Sequence, residues 1–297
     1  MTDILTEKSN PNTKDIDFMS TSQILKTVND EDKKAARAVA KALPEIEQAV
    51  DVITASFLNG GRLAYFGAGT SGRLGVLDAS ECWPTFSAPD GMITGFIAGG
   101  DYALKHSIEG AEDDKSEALK HIKEFKPTKK DVVVGISASG NPNYVLTVLT
   151  EAKKKGAKTI GLTSNPKAKL NDIADIIITT VVGPEVLTGS SRMKSGTAQK
   201  MVLNMLSTAS MIKIGKTYGN YMIDLRPVCD KLIDRANRII AAICKIPVAK
   251  ADEYRIKADN NVKTACVMCL KNCSKAKAEN MLKKHNGVLR KVSRDEK

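Results

Sequence analysis

Five short apolar runs, each ending in glycine or a small residue, punctuate the middle of this chain. They are Arg62–Gly67, Met92–Ala98, Asp131–Ser137, Lys158–Thr163 and Asp175–Val182. Helix-like segments lie between or after them: Gly72–Cys82, Tyr102–Gly110, Tyr144–Lys155 and a long one from Met193 to Ile214. Continuous apolar strands alternating with helices require a parallel sheet covered on both faces. The predicted fold is therefore α/β, a doubly wound five-stranded parallel sheet. In such sheets ligands sit outside the carboxyl ends of the strands, so the residues just after each run are the place to look for a site.

The flanks read differently. Residues 1–20 are polar and predict an extended arm. Thr21–Asn29 and Asp30–Leu58 read as helical, with Val39, Leu43, Ile46, Val50, Ile53 and Phe57 at helical spacing. Asp30 can cap the second stretch, Pro44 kinks or splits it, and Asn59-Gly60-Gly61 ends it. Beyond Arg226-Pro227 the alternation stops. Val228–Lys245, Tyr254–Asn260, Val262–Leu270, Ala276–His285 and Gly287–Val292 predict a small helical appendage, with a break at Ile246-Pro247. A chain of 297 residues has room for one large domain and one small one. The division read here is 1–227, N-terminal helices plus the sheet domain, and 228–297, a small basic helical domain.

Hydrophobic residues make up 42% and charged residues 27%, which excludes disorder as the main state. No apolar stretch approaches the roughly 18–20 residues of a membrane span. The start, Met1 to Phe18, has no basic region followed by an apolar core, so no secretory signal is expected. Aromatics are only 4%, with one Trp, which weighs against a stacking surface for single-stranded nucleic acid. The net charge of +11 is concentrated: Val228–Lys297 carries 17 basic and 8 acidic residues, the rest 28 and 26. A solvated, lysine-rich helical surface explains this most simply; an anionic partner such as nucleic acid is the alternative.

Six cysteines without an export signal suit a reduced, cytoplasmic compartment. Cys266, Cys269 and Cys273 invite a metal reading. Their i, i+3, i+7 spacing is also one face of a helix, no second CxxC exists, and the nearby histidine is His285 alone. Apolar helix packing is the better reading.

The strand ends carry the chemistry. After the first run comes Gly67-Ala68-Gly69-Thr70-Ser71-Gly72-Arg73, a G-x-G-x-x-G pattern opening a helix. A dinucleotide site also wants an acidic residue at the end of the next strand, and here Trp83-Pro84 and Pro89-Asp90 intervene. Gly69, Thr70 and Ser71 at a helix N-terminus suit a phosphate monoester instead. After the third run, Ser137-Ala138-Ser139-Gly140 makes a second anion cradle; one such serine pair alone is often only a helix cap. A third polar loop, Thr188–Thr197, holds Ser190, Ser191 and Lys194, which can close over an anionic sugar or simply cap the long helix. Together the loops point to a sugar phosphate.

Two carboxylates stand near these loops in sequence, Glu81 at the end of the first loop's helix and Glu112 in Glu109-Gly110-Ala111-Glu112-Asp113-Asp114. A carboxylate desolvated in a closed pocket has its pKa raised towards working pH, which suits proton transfer. The string Gly67 to Cys82 closely resembles N-acetylmuramic acid 6-phosphate etherases. So do Glu109–Asp114, Val182-Gly183-Pro184-Glu185-Val186, Ser195–Lys200, and the arm from Leu5-Thr6-Glu7 to Asn10-Pro11. The resemblance covers about residues 5 to 227 and continues more weakly through the tail.

That resemblance implies a sugar isomerase (SIS) fold and cleavage of the D-lactyl ether of N-acetylmuramic acid 6-phosphate. The products are N-acetylglucosamine 6-phosphate and D-lactate. Glu81 then matches the family's proton donor and Glu112 its second catalytic carboxylate. It implies a homodimer with the site near the subunit interface, and no metal or redox cofactor. One departure matters: where the family continues Ser-Ala-Ser-Gly with Arg-Thr-Pro, this chain has Asn141-Pro142-Asn143. Two rivals share the phosphate loops. One is an aldose–ketose sugar-phosphate isomerase, which needs no leaving-group acid. The other is a non-catalytic sugar-phosphate sensor resembling the glucokinase regulatory protein.

Overall fold

Ser20 opens the first long helix with a capping box: its hydroxyl accepts from the Gln23 N–H, and Gln23 accepts from the Ser20 N–H. In the computed structural model, which describes residues 5–294, this helix is α1 (Thr21–Lys41) and runs straight through Asp30. Asp30 therefore caps nothing. It sits within the helix and pairs with Lys26 and Lys33, one turn either side. α2 (Leu43–Leu58) follows a break at Ala42, with Pro44 in its first turn, where a missing N–H is tolerated. The arm is coiled rather than extended. It forms three single turns of 3-10 helix, Leu5–Glu7, Pro11–Thr13 and Ile16–Phe18; its first four residues lie outside the described residues.

The predicted sheet forms. Its elements are β1 (Leu63–Gly67), α3 (Gly69–Phe86), β2 (Ile93–Ile97), α4 (Lys115–Phe125), β3 (Val132–Ile136), α5 (Asn143–Lys154), β4 (Lys158–Thr163), β5 (Ile176–Thr179) and α6 (Lys194–Lys213). The strand order is β2-β1-β3-β4-β5, every pair parallel. Alternate residues feed two cores. Ala64, Phe66 and Val133 pack with Ala118, Ile122 and Phe125 of α4 and Val145, Val148 and Leu149 of α5. On the other face, Gly75 of α3 brings its backbone against Tyr65 and Ile136; a Cβ there would stand 2.9 Å from that of Tyr65. The helices thus cover both faces, which is why the strands read as unbroken apolar runs.

One predicted helix is absent. Over Tyr102–Gly110 only Asp101–Leu104 makes a 3-10 turn. The Arg73 guanidinium takes the carbonyls of Leu104 and His106, at 3.0 and 2.9 Å, which are oxygens a continuing helix would use. The helix that covers this stretch of the fold is α4, capped by Asp114 on the Glu117 N–H.

The chain divides into two compact units, one up to Ser80 with Gly91–Ser210, the other Glu81–Asp90 with Met211 onward. The second contains a small hairpin, β6 (Thr217–Tyr218) and β7 (Tyr221–Met222), and five helices: α7 (Asp230–Cys244), α8 (Val248–Lys257), α9 (Val262–Lys271), α10 (Lys275–Lys284) and α11 (Leu289–Arg294). Ile223 and Leu225 join its core with Ile240, Val267 and Leu289, so residues before 228 also belong to this unit. Cys266 is buried in that core beside Ala265 and Met268, the packing its helical spacing predicts. Among the described residues no group of three or more His, Cys, Asp or Glu is placed to hold a metal. No described helix is long and apolar enough to cross a membrane.

Candidate active site

The turn between β1 and α3 is built for close approach. A Cβ on Gly72 would lie 2.5 Å from the Gly67 carbonyl oxygen, and one on Gly67 would lie 2.7 Å from the Gly72 nitrogen. Gly69 holds φ at +53°, a conformation that favours glycine. This turn presents Gly69, Thr70 and Ser71 at the first turn of α3, where unpaired backbone N–H groups favour an anion. All three line a cavity of about 360 Å³.

The loop after β3 reaches the same cavity through Ser137 and Ser139. Ser137 Oγ accepts from the Gly140 N–H at 3.0 Å and stands 3.5 Å from the Ser139 hydroxyl. Gly140 does not line the cavity. It shapes the turn instead: its φ is +71°, and any Cβ would collide with Ala168. Ser71 donates to Gln199 Oε1 at 3.0 Å, while the buried Gln199 Nε2 has no partner. Turning that amide over lets Nε2 donate to Ser71 Oγ and frees the Ser71 O–H for the cavity.

The third loop contributes less than its sequence suggests. Gly189 and Ser191 line the cavity, and Ser190 does not. Lys194 turns inward. It is fully buried, and its Nζ donates to Glu31 at 2.5 Å and to the Pro184 carbonyl at 2.6 Å. Its charge is spent on the fold and is not presented to the cavity. Beside it, the buried Glu185 carboxylate accepts the N–H groups of Lys194 and Ser195, both at 2.9 Å, and so caps α6.

Glu112 lines the cavity on a single 3-10 turn, Ala111–Asp113, entered through Gly110 in the left-handed region at φ 74°. The departure at Asn141-Pro142-Asn143 bears on this turn: Asn143 Nδ2 donates to Asp113 Oδ1 at 3.1 Å. Burial pushes the Glu112 carboxyl above the ordinary range, and the charges of Asp113, Glu109 and Glu7 add to the shift. Glu81 is not among the cavity residues. It lies about three turns further along α3, on the second unit, and is exposed.

Among the cavity residues that the motifs do not single out are Thr6, Glu7, Arg73, His106, Ser107 and Glu109. Arg73, Glu109, Thr6 and Glu7 do fall inside the etherase-like strings, which was the available signal; His106 had none. The cavity therefore combines hydroxyl and backbone N–H donors with a carboxylate of raised pKa. It can hold an anion and move a proton near it.

Residues 36–153 match the glucokinase regulatory protein N-terminal SIS domain, and residues 107–209 match the SIS domain. The chain resembles a phosphoheptose isomerase from Francisella tularensis in fold, with 18% identity, a TM-score of 0.51, and coverage of 65% of this chain and 98% of that one. It is 50% identical to the N-acetylmuramic acid 6-phosphate etherase of Actinobacillus pleuropneumoniae over 97% of this chain and 95% of that protein. The corresponding protein of Glaesserella parasuis is 51% identical over 98% and 95%. At half identity across nearly the full length of both partners, with an SIS sheet beneath the matching loops, the chain belongs to the N-acetylmuramic acid 6-phosphate etherase family.

Proposed function

We propose that this protein is a lyase-type etherase. It takes N-acetylmuramic acid 6-phosphate and releases D-lactate and N-acetylglucosamine 6-phosphate. The observation that carries the reading is the half identity to etherases along almost the whole chain. The cavity supports it by bringing strand-end hydroxyls and Glu112 together.

The phosphate is held by the N-terminus of α3 with Thr70 and Ser71, and by Ser137 and Ser139. The sugar ring opens to an aldehyde, which acidifies the proton on C2. A base removes that proton, and an acid protonates the departing lactyl oxygen on C3. Water then adds across the new double bond and the two groups exchange roles. Glu112 is one of the two groups, and its raised carboxyl suits proton exchange. Glu81 is the other. A homodimer is the arrangement we favour, as the family resemblance implies a site near a subunit interface, with Glu81 supplied by a second copy. Reuse of cell-wall amino sugar in the cytoplasm is the setting this activity fits.

Incubation with N-acetylmuramic acid 6-phosphate and assay for D-lactate tests the reading directly. The match of residues 36–153 to a regulatory-protein domain favours one competitor, a sugar-phosphate sensor without turnover. Thermal stabilisation by the sugar phosphate without any lactate would select that competitor.

The charges around Glu112 give a second test. Glu7, Glu109 and Asp113 all push its carboxyl up, while Arg73 and His106 line the same cavity. Glu109→Gln removes one negative neighbour, so the Glu112 ionisation moves to lower pH. The corresponding limb of the kcat/KM profile shifts the same way. An unmoved profile would mean that the limb belongs to another group.

A further inference from the structure

The arm brings a third carboxylate to the cavity that neither the motifs nor the two-carboxylate scheme uses. Thr6 and Glu7 line the cavity together with Glu112, Ser71 and Ser139. Thr6 is buried, and its carbonyl accepts the Gly189 N–H at 3.2 Å. Glu7 Oε2 lies against Gly189, 3.1 Å from where a Cβ would stand there, and Gly189 holds φ at +79°. A side chain at 189 would therefore press on the Glu7 carboxylate.

This placement is fixed from behind. Asn10 Nδ2 donates to Glu31 at 2.9 Å and to the Pro184 carbonyl at 3.1 Å. Asn12 donates to the other Glu31 oxygen at 2.9 Å, and the Thr13 hydroxyl donates to the Val186 carbonyl at 2.8 Å. Lys194 closes the knot through Glu31. The arm is a built wall of the cavity.

Glu7 is exposed at the cavity. Among the described residues its carboxylate takes one long hydrogen bond, 3.5 Å from the Thr6 hydroxyl, so it is solvated rather than committed to the fold. A solvated carboxylate at a cavity can exchange its water for a neutral donor on a ligand, and it repels a second anion. A sugar phosphate brings both kinds of group: a phosphate for the hydroxyls and helix N-terminus, and O–H or amide N–H donors on the ring.

We propose that Glu7 is a substrate-contacting, specificity-determining residue whose carboxylate accepts a hydrogen bond from a hydroxyl or amide N–H of the sugar. The inference rests on the sugar-phosphate reading of the cavity. Glu7 selects for the sugar and not for the phosphate, so a ligand with phosphate alone gains nothing from it.

The test is calorimetric titration of wild type, Glu7→Ala and Glu7→Gln with N-acetylglucosamine 6-phosphate and, separately, with inorganic phosphate. Loss of a charge-assisted hydrogen bond weakens the sugar phosphate about tenfold or more in Glu7→Ala. Inorganic phosphate binds that variant as well as wild type, or more tightly because a repulsive charge is gone. Glu7→Gln keeps an acceptor oxygen and recovers part of the sugar-phosphate affinity. Unchanged sugar-phosphate binding in Glu7→Ala overturns the proposal. So does an equal loss for both ligands, the mark of a residue that only supports the wall. Wild type that binds neither ligand sinks the inference along with the site. The etherase reading fails separately: if wild type binds the sugar phosphate but releases no lactate, the contrast between the two ligands still decides the role of Glu7.

Discussion

On the proposed dimer with shared sites, mixing Glu81→Gln protein with Glu112→Gln protein restores lactate release to about a quarter of wild type, the yield expected of random exchange between symmetric dimers. Each variant alone is lower by roughly two orders of magnitude or more, as expected when one positioned proton transfer is removed. Half of the dimers in the exchanged mixture pair unlike subunits. In those, one site carries both substitutions and the other carries neither. This outcome follows only if each site takes Glu112 from one copy and Glu81 from the other. Glu112 lines the cavity of its own chain and Glu81 does not. If the mixture stays as inactive as its components after the subunits have demonstrably exchanged, both carboxylates act within one chain.

Lys194→Met destabilises the protein by about 3–5 kcal/mol, the usual cost of leaving a buried partner uncompensated, or a fall in Tm of about 10 °C for a unit of this size. Lys194 and Glu31 are both almost fully buried and meet at 2.5 Å. Burial pushes the Glu31 carboxyl up. The hydrogen bonds from Lys194, Lys34, Asn12 and Asn10 outweigh it and hold the carboxyl at about 2, against an ordinary 4.5. A carboxyl depressed on folding adds stability that is fully present above about pH 4.5 and is lost as the pH falls towards 2. Acid titration of wild type therefore shows a loss of stability through that window, and in Lys194→Met the loss is smaller. The double variant Glu31→Met/Lys194→Met recovers part of the stability, because the lone buried charge is gone. Denaturant unfolding at pH 7 and pH 3 measures all of these. Equal stability of wild type and Lys194→Met at pH 7 would show that the ion pair contributes nothing net.

The parts of the fold that were legible in the sequence are those where a local pattern has one physical meaning. A strand buried on both faces must be apolar throughout, so Val132–Ile136 and Lys158–Thr163 announce themselves, as do the glycines that let Gly67 and Gly72 meet. Failures come where a distant partner decides. Asn29-Asp30 looks like a helix start, yet the two lysines on Asp30 and the Ser20–Gln23 box carry one helix through it. Tyr102–Gly110 has helical spacing, but Arg73, some thirty residues earlier, claims its carbonyls. The helix at Lys115–Phe125 falls outside the segments read from periodicity above, although Asp114, Ala118, Ile122 and Phe125 spell a cap and an apolar face.

The site divides along the same line. Hydroxyls at strand ends are local signals, and Thr70, Ser71, Ser137, Ser139 and Ser191 do line the cavity. Lys194 sits in a polar loop and reads as a solvent-facing charge. Nothing within ten residues tells that Glu31, 163 residues away, draws it into the interior. Glu7 and Thr6 reach the cavity only because the chain folds back across Gly189, a contact between the start of the sequence and its second half.

That fold-back matters at the bench. Because Thr6 and Glu7 stand at the cavity wall, an affinity tag joined a few residues ahead of them is covalently close to the cavity. Kinetic constants from amino-terminally tagged preparations then report on the tag as well as on the enzyme. Tag-free protein, or a label on the opposite terminus, is the proper reference for every comparison above.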